Sequence, residues 1–166
     1  IRLCSCYNAL MSESKTKLIL VCGLPGSGKT TLSRKLAQEI PAIRLCPDEW
    51  MQDIEVSLWD REFRDKLEER LWKLGKELLS LGQSVVLEYR FWGKSERDDK
   101  LMAARALGVG VELHFLDPSV EELKERLSKR GMEGDVELVE KVAEYSERFE
   151  RPESTELSKY DNYKVS

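Results

Sequence analysis

The sequence contains a single histidine, His114, and its four cysteines, Cys4, Cys6, Cys22 and Cys46, include no Cys-x2-Cys pair. A structural zinc site therefore has no workable ligand set. Long hydrophobic runs are also missing: every apolar stretch is strand-sized, against the roughly 20 residues that a membrane-spanning helix needs. There is no basic excess, since 27 Lys and Arg face 31 Asp and Glu, a net charge of -4. That balance weighs against a dedicated nucleic-acid scaffold, although it leaves room for a local basic cleft. Neither Asn-Lys-x-Asp nor Asp-x-x-Gly occurs, which removes the GTPases, and a hexameric motor ATPase would need a longer chain with a helical lid. No internal repeat, low-complexity tract or linker divides the chain. The start lacks the basic segment, apolar core and cleavage site of a signal peptide. Ile1 to Leu10 precede Met11, so we expect Met11 to be the natural start and residues 1–14 to be an extension, disordered or non-native. Cys22 lies in an apolar run and reads as a buried free thiol, in keeping with a reducing, cytoplasmic setting.

What is present is one domain's worth of chain: 166 residues, 41% hydrophobic and 35% charged. A continuous apolar run, Leu18 to Cys22, ends in a glycine-rich turn, as a central parallel strand does. A helix is expected from Lys29 to Glu39, stopped before Pro41. Ala42 to Leu45 reads as a second strand. Phe63, Leu67, Leu71, Leu74 and Leu78 recur at helical spacing within a long amphipathic helix from Arg61 to Leu81, which Gly82 ends. Ser84 to Leu87 and Val109 to Leu116 read as strands three and four. Helices are expected over Lys94–Leu107, Ser119–Arg130 and Val136–Phe149, and Tyr163–Val165 is a candidate edge strand. Strands alternating with helices imply an α/β domain, a parallel sheet covered on both faces. We place this single domain over residues 15–166.

The strongest local signal is Gly23-Leu24-Pro25-Gly26-Ser27-Gly28-Lys29-Thr30, a full match to G-x-x-x-x-G-K-[ST] between a strand and a helix. The glycines let the loop turn so that its N–H groups converge on a phosphate, and the following helix adds its positive end. In this arrangement Lys29 reaches the β- and γ-phosphates and the Thr30 hydroxyl ligates Mg²⁺. Thr31 faces the α-phosphate. The bland alternative is a chance glycine-rich turn, which eight matched positions with correct flanks disfavour. We therefore expect a nucleoside-triphosphate site. A small chain with little beyond that site fits a phosphotransferase to a second substrate.

This loop, followed by Thr31 and by Cys46-Pro47-Asp48-Glu49, resembles the P-loop kinase branch containing polynucleotide 5′-hydroxyl kinase, chloramphenicol phosphotransferase and zeta toxins. Pro47-Asp48-Glu49-Trp50, Leu87-Glu88-Tyr89-Arg90-Phe91-Trp92 and Ser95-Glu96-Arg97 are similar to motifs of small bacterial ATP-binding proteins of kinase type within it. The resemblance spans residues 18–149. It implies a three-layer P-loop fold of nucleoside-monophosphate-kinase type, with strand order 2-3-1-4-5, using ATP and Mg²⁺. It also implies Asp48 as the base that takes the acceptor hydroxyl's proton; the competing reading is a helix N-cap. Met51 stands where polynucleotide kinase has an arginine, so that substrate contact is not carried over.

Glu88 stands where relatives usually have Asp, and either orients the acceptor, holds a metal-bound water or is an exposed strand-end acid. Arg90, Phe91 and Trp92 follow on the acceptor side, where the aromatic pair stacks a substrate ring or packs on a helix. Arg126 and Arg130, four apart on one helix face, correspond to lid arginines that close over the triphosphate. The competing reading is surface pairing, since Glu122 and Arg126, and Glu125 and Lys129, are also four apart. The lid would span residues 119–135 and hinge at Gly131 and Gly134. His114, Trp50, Trp59 and Trp72 are expected to pack. The expected activity is transfer of the ATP γ-phosphate to a hydroxyl of an unidentified acceptor, with nucleic acid not favoured. The alternative is an ATP-binding or ATP-hydrolysing regulator without a second substrate.

Overall fold

The computed structural model describes residues 16–132 and 134–166. The expectations about residues 1–14, with Cys4 and Cys6, lie outside the described residues. The elements run in chain order β1 (Lys17–Gly23), α1 (Lys29–Glu39), β2 (Ala42–Leu45), α2 (Pro47–Asp53), α3 (Arg61–Ser80) and β3 (Ser84–Leu87). They continue with α4 (Lys94–Ala106), β4 (Gly110–Leu116), α5 (Val120–Arg130), α6 (Asp135–Arg148), α7 (Ser154–Leu157) and β5 (Asn162–Val165). The five strands form one parallel sheet in the order β2-β3-β1-β4-β5. β1 lies at its centre, in register with β3 (Leu18 opposite Val85) and with β4 (Leu18 opposite Val111).

The pleat of β1 explains the layers, because successive side chains leave a strand on opposite faces. Leu18, Leu20 and Cys22 enter the larger core with Leu71 and Leu79 of α3 and Leu101 of α4. Ile19 and Val21 enter a smaller one with Leu36 of α1. Both faces are thus apolar, and the strand is buried from Leu18 to Gly23. Asp60 accepts a hydrogen bond from the Phe63 amide to start α3, and Ser119 does the same for Glu122 at the start of α5.

The structure corrects one expectation, about Trp50 and Trp59, and decides against an alternative left open at Asp48 and at Phe91 and Trp92. Asp48 is not an N-cap: Cys46 holds that position, Pro47 opens α2, and Asp48 lies in its first turn. Trp50 and Trp59 do not fill helix–sheet contacts, being 45% and 43% exposed, whereas Trp72 packs against the core. Phe91 and Trp92 do not act as a pair. Phe91 is buried and stacks on Tyr89, while Trp92 is half-buried against Tyr145. His114 is buried as expected.

Candidate active site

The glycine-rich loop joins the central strand to α1 at the carboxyl end of the sheet, where open α/β sheets bind their ligands. Two of its glycines are required by close approach. A side chain at Gly23 would meet the Leu116 carbonyl oxygen at 2.6 Å, and one at Gly26 would meet Leu127 of α5 at 3.0 Å. The loop is therefore pinned between β4 and α5. Gly28 begins α1 with no side-chain cap, so the first-turn amides of α1 are free for an anion. Among the described residues the buried Ser27 hydroxyl has no hydrogen-bond partner. Lys29 bends back to donate to the Leu24 carbonyl at 2.9 Å. Burial pushes its ammonium below the ordinary lysine range, against the pull of Asp48 and Glu88. Thr30 and Thr31 are exposed at the start of α1.

Glu88, just past β3, is the polar hub beneath the loop. It accepts from the Thr30 hydroxyl at 2.5 Å, from the Ser33 hydroxyl and from Arg44 of β2, while itself 6% exposed. It is not an exposed strand-end acid. Arg44 also pairs with Glu49, which a second arginine, Arg34, holds at 2.6 Å. Those guanidinium groups pull the Glu49 carboxyl below its usual range against the opposing effect of burial. The chain α1–β2–α2 is thereby tied together by charge-assisted hydrogen bonds.

Asp48 faces Arg64, which is 4% exposed on α3 and also donates to the Leu58 carbonyl at 3.2 Å. Lys29, Thr30, Asp48, Glu88, Arg90, Trp92 and Arg130 line one cleft of about 380 Å³. Arg126 donates to the Ser27 carbonyl at 3.2 Å, so α5 touches the phosphate loop directly. It also pairs with Glu122, and Lys129 pairs with Glu125, so the surface-pairing reading of α5 is present as well. Arg130 makes two hydrogen bonds to the buried carboxylate of Asp135, which in turn accepts from the Met132 amide at 2.8 Å. Among the described residues no group of three or more His, Cys, Asp or Glu is placed to hold a metal ion.

Arg64, Arg44, Ser33 and Asp135 are the neighbours that sequence reasoning missed. Arg64 did leave a signal. It stands seven residues before Leu71 on the apolar stripe of α3, where an arginine is out of place unless it has a buried partner. The Ser95-Glu96-Arg97 motif proves structural. Glu96 accepts from the Gly93 amide at 3.1 Å, and Arg97 donates to the Phe91 carbonyl at 2.9 Å, fixing the loop that carries Arg90 and Trp92.

The comparisons place this geometry among known folds. The structure is similar to an unliganded sugar kinase from Janibacter sp. HTCC2649, with a TM-score of 0.66 and 22% identity over 91% of this chain and 84% of that one. It is similar to the Mycobacterium tuberculosis APS kinase in complex with AMPPNP and APS, with a TM-score of 0.62 and 18% identity over 91% and 88%. It is also similar to Chaetomium thermophilum Kti12 in complex with ADP-AlF3, with a TM-score of 0.64 and 20% identity over 90% and 88%. A search of the curated proteins found no match. No helix among the described residues is long and apolar enough to cross a membrane. The fold is that of the P-loop kinases, as the resemblance implied, and residues 18–152 match the family model described as AAA domain. The chain belongs to that AAA domain family of P-loop proteins.

Proposed function

We propose that the protein is an ATP- and Mg²⁺-dependent phosphotransferase that moves the γ-phosphate of ATP to a hydroxyl of a second substrate. The observation that carries this reading is the shared cleft. One space of about 380 Å³ is lined by phosphate-loop residues Lys29 and Thr30 and by Asp48, Arg90 and Trp92 across from them. A pure nucleotide binder has no need of that second wall.

Gly23 to Thr31 bind the triphosphate through backbone amides, with the buried, unpartnered Ser27 hydroxyl among the groups free to meet it. Lys29 exchanges its bond to the Leu24 carbonyl for the β- and γ-phosphates. Thr30 and Glu88 offer a hydroxyl and a carboxylate 2.5 Å apart, hard oxygen donors of the kind Mg²⁺ takes. Thr30 would ligate the ion, and Glu88, already engaged by Ser33 and Arg44, would hold one of its waters. Held there, the ion would supply charge neutralisation at the phosphate oxygens. The acceptor hydroxyl oxygen forms a bond to the γ-phosphorus, the bond to the β–γ bridging oxygen breaks, and ADP leaves. Asp48 takes the hydroxyl proton, and Arg64 fixes the carboxylate's direction. Arg126 and Arg130 move from Ser27, Glu122 and Asp135 onto the phosphate oxygens as residues 119–135 close as a lid.

The test is ADP release across a metabolite library, with Lys29→Ala and Asp48→Asn beside wild type. Lys29→Ala should weaken ATP binding by calorimetry while the fold persists, because Lys29 lines an open anion site. An ATP-hydrolysis rate that no acceptor raises would favour the regulator reading instead.

A further inference from the structure

Two guanidinium groups lining the cleft, the exposed Arg61 and the half-buried Arg90, make no ion pair among the described residues, and Arg90 alone of the two also lines the adjoining cavity. Arg34, Arg64 and Arg130 of the same cleft, and Arg44 behind it, each hold a carboxylate. No hydrogen bond or ion pair joins Arg90 to any described residue, and its guanidinium lies over the Trp92 ring at 5.7 Å. That stacking orients the planar fork. Burial and the charge of neighbouring Arg64 push its pKa down, against the pull of Asp48 and Glu68 at longer range. Arg64 itself has a buried Nε with no hydrogen-bond partner among the described residues. Two arginines thus stand side by side opposite the phosphate loop with donors to spare, an arrangement that an oxyanion relieves.

We infer that the acceptor is a small molecule bearing, besides its hydroxyl, an anionic group such as a carboxylate or phosphate, which Arg90 binds with help from Arg64. This rests on the phosphotransferase reading above and adds the substrate class. The adjoining cavity of about 430 Å³, whose wall also includes Arg64 and Arg90, explains why the anion should be small. Asp65, Glu68, Glu69, Glu96 and Asp99 line it. A polyanion extending past Arg90 meets these carboxylates, so a nucleic-acid end is the poorer fit.

The experiment measures acceptor-dependent ADP release for glycerol, glycerate and glycerol 3-phosphate, for glucose, gluconate and glucose 6-phosphate, and for a 5′-hydroxyl oligonucleotide. Separately, sodium sulfate is titrated onto AMPPNP-loaded enzyme and the melting temperature followed, so that the phosphate loop is already filled. An anionic acceptor should outperform its neutral partner, and Arg90→Gln should raise that acceptor's KM about 10- to 100-fold, the worth of charged hydrogen bonds. Arg90→Lys should recover part of the loss. Sulfate should raise the melting temperature of wild type and not of Arg90→Gln. Equal use of neutral partners, preference for the oligonucleotide, or an unchanged KM in Arg90→Gln overturns the inference while leaving phosphotransfer standing. If sulfate binds through Arg90 but no acceptor stimulates ADP release, the anion subsite stands and the phosphotransferase reading fails. If neither effect is seen, both fail.

Discussion

Asp48 and Glu68 are carboxylates on either side of Arg64, and their surroundings set them different tasks. Asp48 is 56% exposed and held on one side by Arg64, which leaves its other lone pairs turned to the cleft. Asp48→Asn keeps size and helix turn and loses no cap, since Cys46 is the N-cap. Acceptor phosphorylation should therefore fall about 10²- to 10⁴-fold, the usual worth of a positioned base, with ATP affinity near wild type by calorimetry. Glu68 instead is pushed up from 4.5 to about 7 by burial, against the pull of Arg64 and Arg90. A carboxyl raised in the folded state stays protonated there while the unfolded chain has already released its proton. Stability should therefore decline as pH rises from about 4.5 to about 7, by up to about 3 kcal/mol. Urea denaturation across that range should show the decline in wild type and a flatter profile in Glu68→Gln.

At the scale of elements, α5 is a wall of the phosphate loop and, in the function proposed above, the start of the lid. Leu127 packs on Gly26, and Arg126 reaches the Ser27 carbonyl, so any motion of α5 is felt at the loop. The arginines are held in place meanwhile, Arg126 by Glu122 and Arg130 by Asp135. Exchanging those carboxylates for phosphate oxygens conserves the number of charged hydrogen bonds, which keeps closure from costing much. Arg126→Ala and Arg130→Ala should then lower turnover more than nucleotide affinity, by about 10³-fold or more where an arginine acts on transferred phosphate. Steady-state kinetics beside nucleotide titration separates the two effects. Normal turnover in both single variants and the double variant would make α5 a salt-bridged surface only.

Across the whole molecule, a fully buried ion pair closes the C-terminal part onto the sheet. Arg97 of α4 is 0% exposed and makes paired hydrogen bonds of 2.7 and 3.0 Å to Glu156 of α7, itself 2% exposed. Its remaining donors reach the carbonyls of Phe91 at 2.9 Å and Glu150 at 2.8 Å. One side chain thus joins α4, the loop bearing Arg90 and the segment leading to β5. Arg97→Met should cost about 3–5 kcal/mol, because Glu156 is left buried and unpaired. Arg97→Met with Glu156→Leu should recover much of that loss in urea denaturation, since the unpaired charge is gone. The loop carrying Arg90 and Trp92 should also loosen, visible as faster amide exchange at Phe91 and Trp92.

The strands themselves, the helix following the phosphate loop and the reach of α3 were all legible in the sequence, because each rests on short-range pattern, whereas the strand order was implied only by the family resemblance. A continuous apolar run must be buried on both faces, a glycine-rich turn after it must bend, and a stripe at helical spacing must face a core. α2 entered only through the N-cap alternative at Asp48 and α7 was not read as a helix, because each is short, 7 and 4 residues, and carries too few turns for a periodicity. The arginine web lay beyond reach for a different reason. Arg64 lies 16 residues from Asp48, Arg44 lies 44 from Glu88 and Arg97 lies 59 from Glu156. Charges so distant along the chain acquire partners only when packing brings their elements together, and a side chain's pairing follows from distance in space. The sequence by itself determined the sheet and the anion-binding loop, which local sterics and backbone hydrogen bonding dictate. Only the tertiary structure decided which carboxylates are spoken for, and that Arg90 forms no ion pair among the described residues.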